Sequence, residues 1–82
     1  CSGDEGAGVK IYSVDSQGGV TTAEIRVVEE VPVVLEVFNS EEKIGQNVET
    51  MSGRGTISVD AVGNRVSFHE YGCEDPSVER NY

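Results

Sequence analysis

One histidine, two cysteines and four adjacent pairs of acids are the side chains of this sequence from which chemistry could be built. A general base needs a substrate cleft and a group that orients it. Strand alternation sets His69 on an outward face beside Ser58 and Tyr71, where neither is supplied, so it reads as an ordinary surface histidine. The pairs Asp4-Glu5, Glu29-Glu30, Glu41-Glu42 and Glu74-Asp75 lack the alternating spacing of a calcium loop. They read as solvated charge that keeps a small protein soluble. A single histidine with cysteines at opposite ends of the chain does not make a zinc quartet. Ser52-Gly53 lies in no G-x-S-x-G elbow, and Gly53-Arg54-Gly55 is too short to cradle a phosphate. No catalytic residue, metal or cofactor is expected, and the chain does not read as an enzyme.

The cysteines carry more. An even count in a small chain suits an oxidising compartment. Cys73 follows directly on the last strand, and the glycine-rich arm 2–8 is long enough to bring Cys1 to it. A Cys1–Cys73 disulfide is therefore expected. Closing a loop of about 73 residues would contribute roughly 4 kcal/mol in the chain-entropy account.

The elements that must position these residues are strands. Valine occurs 14 times and isoleucine 4 times, against one leucine (Leu35) and three alanines. β-Branched side chains lose rotamer freedom in a helix and pack well on a pleated surface. The first strand is expected over Val9–Asp15, closed by the turn Ser16-Gln17-Gly18-Gly19. Val20–Glu30 alternates Ala23, Ile25 and Val27 with Glu24 and Arg26, a half-buried strand. Its rival is a helix near 21–31 capped at Thr21. Val31–Asn39 is apolar on both faces except at Glu36 and is placed centrally, with Pro32 at its start. Asn39–Asn47 reads as a polar loop with a helical turn, and Val48–Met51 as a short edge strand broken by Gly53-Arg54-Gly55. Thr56–Val62 and Arg65–Tyr71 make a hairpin about Gly63-Asn64, with Ala61 facing Val66 and Val59 facing Phe68. The expected fold is all-β, a small antiparallel sandwich or partly open barrel of five to six short strands. The runner-up is an α+β domain containing the 21–31 helix. A flexible acidic arm (1–8) precedes the single domain (9–73), and a tail (74–82) follows.

The chain has 82 residues, 15 of them acidic and 6 basic, for a net charge of −9. That is one domain with a core of marginal size, and a surface that repels nucleic acid. No run is apolar enough to span a membrane. The opening Cys-Ser-Gly-Asp-Glu resembles a bacterial or archaeal lipoprotein after signal-peptide removal, and this resemblance over about eight residues implies a lipid on Cys1 in place of the disulfide. Asn64–Glu70 resembles the arginine-bearing strand of small secreted guanyl-specific ribonucleases. Those enzymes need a second histidine that is missing here, so no catalytic residue carries over. Gln46–Glu49 resembles the inhibitory hairpin of cystatins, without its glycine.

Two function classes follow. The first is a secreted, non-enzymatic binding domain, inhibitor-, effector- or adhesion-like, that meets a protein partner bearing a basic patch through loops and an exposed strand edge. Its candidate contacts are Ser40, Glu41, Glu42, Lys43, Gln46, Asn47 and Arg54, on the longest polar connections. The second is a lipid-anchored or self-assembling structural subunit of a cell-surface complex or filament. Either location is extracytoplasmic.

Overall fold

The valine-rich runs all become strands. The computed structural model describes residues 9–72 and the backbone of residues 78–81. Strand β1 spans Lys10–Gln17, β2 Val20–Asn39, β3 Glu42–Val59, β4 Arg65–Glu70 and β5 Val78–Asn81. Every pairing is antiparallel, and the strands form one sheet in the order β1-β2-β4-β5, with β3 along the other edge of β2. The arm 1–8 and both cysteines, with their expected disulfide, lie outside the described residues. The segment read as a tail carries β5.

The helix near 21–31 does not form. Thr21, Ala23, Ile25 and Val27 are buried while Thr22, Glu24 and Arg26 face outward, the period of a strand with one face on a core. Nor are the strands uniformly short: β2 has 20 residues and β3 has 18. Gly53-Arg54-Gly55 does not break β3. Val27 pairs with Gly53 and Val31 with Met51, so residues 28–30 of β2 face Ser52 alone. The ladder bends at this bulge and continues, and Gly53 takes a φ of 75° there, which glycine adopts without a Cβ penalty.

The first turn falls within the expected Ser16–Gly19 but is shorter, since Ser16 and Gln17 belong to β1; Gly18 and Gly19 are both at positive φ, as a two-residue type I′ hairpin loop requires. The polar stretch 39–47 is a correction. Its turn is only Ser40 and Glu41, and Asn39 already pairs with Glu42. These residues are polar because β3 is an edge strand with a wet face. Ser40 holds a φ of 60°. Its N–H donates to Asn64 Oδ1 at 3.0 Å, and Arg65 donates to its carbonyl at 3.3 Å.

The expected β3–β4 hairpin is a second correction. The inward faces are right, since Ile57, Val59, Val66 and Phe68 are all buried. The partner is different, because β4 pairs with β2 over Val33–Phe38. Gly63-Asn64 serves as a crossover pressed on the end of β2, where Asn64 N–H donates to the Phe38 carbonyl at 3.0 Å. That contact satisfies a carbonyl at a strand end, which a tight hairpin would have left to solvent.

The core draws on both halves of β2, with Ala23, Ile25 and Val27 from one and Val33, Leu35 and Val37 from the other. Gly45 lies against Val59 and Ala61, so the first half of β3 approaches the chain leaving its second half. Thr21, fully buried, ties this junction by donating to the Ala61 carbonyl at 2.6 Å. Thr21→Val keeps the shape and strands that carbonyl. The expected loss is about 1–3 kcal/mol, read as a lower urea midpoint with an unchanged slope.

Candidate functional site

The alternation that sends Val33, Leu35 and Val37 inward sends Val34 and Glu36 to the opposite face. Cross-strand pairing then builds two rows over β3, β2 and β4. Gln46, Glu36 and Ser67 form one, and Val48, Val34 and His69 the other. Lys43 joins them because the ladder shifts by one residue between Val37 and Phe38. The Tyr71 N–H bonds to the Pro32 carbonyl at 2.8 Å and sets that side chain at the far end. The result is a cleft of about 420 Å³ lined by Val34, Glu36, Lys43, Gln46, His69 and Tyr71, with Gly72 at its rim.

The cleft has an aliphatic floor and charged walls. Val34 is 3% exposed yet stands apart from the main core cluster, so its burial comes from the side chains around it on this face. The Lys43 ammonium donates to Glu36 Oε2 at 3.1 Å and to Gln46 Oε1 at 2.8 Å. The other oxygen, Oε1, lies 3.9 Å from His69 Nδ1, beyond hydrogen-bond distance. That nitrogen is shielded from solvent and has no hydrogen-bond partner. Two residues away on β2, Phe38 is covered by the Arg65 guanidinium at 4.1 Å from the ring centroid. The face therefore sets Lys43 and His69 about the Glu36 carboxylate, with Arg65 over Phe38 beside them, in a chain that is acidic overall.

Of the expected contact residues, the fold brings Lys43 and Gln46 into the cleft. Ser40, Glu41 and Glu42 remain exposed at the β2–β3 turn. Asn47 turns to its own strand, donating to Glu49 Oε2 at 3.0 Å and to the Ser58 carbonyl at 2.9 Å. Arg54 is on the other half of the sheet, paired with Glu24 at 2.9 Å. His69 is a correction. It neighbours Val34 rather than Ser58, and its side chain is only 14% exposed. Sequence reasoning also passed over Glu36. The signal was present, because a lone acid in the run Val31–Asn39 needs a partner on whichever face it occupies. Among the described residues no three or more His, Cys, Asp or Glu side chains gather as a metal site, and no helix is long and apolar enough to cross a membrane.

Comparison with known proteins finds no family model, no curated protein and no solved structure that the chain matches.

Proposed function

We propose that the chain is a small, non-enzymatic, extracytoplasmic binding domain that receives a protein partner in the cleft over β3, β2 and β4, with the Ser40-Glu41 turn as its rim. The observation that carries this reading is the convergence of Lys43, Gln46, Glu36, His69 and Tyr71 on one concave face with an aliphatic floor. A depression with a few convergent polar groups is the usual form of a recognition site. Its chemistry favours binding over turnover. Glu36 Oε2 is engaged by Lys43 and the His69 Nδ1 is covered, an arrangement that supports recognition more than proton transfer through those two atoms. The net charge of −9 favours a partner with a basic surface, whose association should weaken as salt rises. We read the architecture as a partly open barrel. Support comes from the doubling back of β3 at Gly45 against Val59 and Ala61 and from the approach of β1 to β5.

A photo-crosslinking residue at Gln46 tests this against the extracytoplasmic fraction of the source organism, with the same residue at exposed Gln17 as control. One discrete protein adduct is expected at Gln46, absent at Gln17 and weaker as salt is raised. Adducts of the chain with itself, together with a mass above monomer by light scattering, would establish the assembling subunit instead.

A further inference from the structure

The outer face of the other half of the sheet carries an arrangement of charge that folding by itself disfavours. Lys10 on β1 pairs with Arg26 on β2, and Arg26 pairs with Arg54 on β3. Directly opposed residues share a face, on strands about 5 Å apart. Half of the chain's 6 basic residues thus stand in one row across three strands. Like charges placed opposite one another are destabilising. With 15 acids in the sequence, neutralising groups are plentiful. Among the described residues, however, the one ion pair reaching this row is Arg54 Nε to Glu24 Oε2 at 2.9 Å. Arg26 is exposed and pairs with no described side chain.

Two further side chains border the row. Tyr12 is the extra residue of the β1 bulge. The Lys10 ammonium is 5.1 Å from its ring centroid and the Arg54 guanidinium carbon 4.5 Å, so the ring's electron-rich face steadies two of the cations. Val28, two residues beyond Arg26 on β2, is 57% exposed.

We propose that Lys10, Tyr12, Arg26, Val28 and Arg54 form a second interaction surface, which docks a short acidic segment of a partner polypeptide carrying apolar residues between its carboxylates. Guanidinium groups take carboxylates through paired N–H donors, and Arg26 gives none of its donors to a described side chain. Val28 and the Tyr12 ring offer apolar contact between the charges, which suits alternating acidic and aliphatic side chains. The hydroxyls that would read a polyol, on Thr22 and Ser58, bond each other at 3.0 Å. Length is limited by the chain's own charge. At −9 the molecule repels a long polyanion, and the row's attraction extends only about a Debye length, roughly 8 Å at physiological salt.

The test is an NMR titration of the isotope-labelled full chain with a short synthetic peptide alternating glutamate and valine. Amide shifts are expected at residues 10–12, 26–28 and 54, with affinity falling as salt is raised through the physiological range. Arg26→Glu should abolish the shifts while the melting temperature stays level or rises, and Arg26→Lys should retain most of the binding. Undiminished binding by Arg26→Glu, or shifts confined to the Glu36–His69 cleft, would overturn the proposal. A heparin-type oligosaccharide that bound where the peptide did not would reassign the row to sulfated glycans. Arg26-dependent self-association in sedimentation would reassign it to a second copy of the chain. Either result also overturns the proposal.

Discussion

Phe68→Ala is expected to remove about 3–5 kcal/mol of stability, a large fraction of the roughly 5–15 kcal/mol that holds a domain folded. Phe68 is fully buried, pairs with Leu35 on β2, and stands opposite Val78 of β5. The chain has no tryptophan and only 2 phenylalanines, and the other, Phe38, lies on the cleft face under Arg65. Nothing else of that volume can fill the space, and strands paired on both sides cannot collapse into it. Chemical denaturation should show the loss as a collapse of the midpoint, and a partly unfolded population at room temperature would be no surprise. Tyr71→Ala, at a residue 57% exposed, is the control and should stay within about 0.5 kcal/mol of wild type. Equal midpoints for the two variants would mean that the inward face of β4 is wrongly assigned.

Gly63→Ala should cost about 3 kcal/mol, at the upper end of what overpacking does. A Cβ at this position would run into the Phe38 carbonyl oxygen and stand 2.7 Å from its carbon and 3.2 Å from Val37 Cγ1. Two of these are backbone atoms in a strand and cannot swing aside. The crossover would have to lift, and the Asn64 N–H to Phe38 carbonyl bond would be lost with it. Gly18→Ala makes the comparison informative. Gly18 has open space around its Cβ position but a φ of 62°, so its cost is conformational, about 1 kcal/mol. Thermal unfolding of the two variants separates a steric demand from a torsional one. A Gly63→Ala protein as stable as wild type would show that the crossover does not press on β2.

The periodicities that identified the strands were legible because they are local. Thr21 to Val27 declares its faces by alternation, and so does Ile57 with Val59. The partner of β4 was not legible. Gly63-Asn64 has the composition of a hairpin turn, and turn chemistry is what a sequence displays, whereas the carbonyl at Phe38 that claims Asn64 becomes visible only in three dimensions. The same gap hid the cleft. His69 and Glu36 are 33 positions apart in sequence, and their proximity follows from β4 lying beside β2 instead of β3. In the sequence Lys43 and Gln46 stand out only for their polarity within an expected loop. They belong to the cleft for another reason, the one-residue ladder shift beside Val37 that turns both to one face.

The use of β2 by three other strands also sets an order of assembly. β1, β2 and β3 follow one another through two-residue turns, so their ladders can close within microseconds. β4 must return to β2 across the whole of β3, and such a distant pairing bears a larger loop-closure cost and forms later. Until it arrives, residues 33–38 of β2 present a bare row of backbone donors and acceptors on the edge that β4 will occupy. An uncovered strand edge is a template for any other extended chain. The interval between closure of the meander and arrival of β4 is thus the period in which this protein is most exposed to misassociation, and β4 acts as its guard.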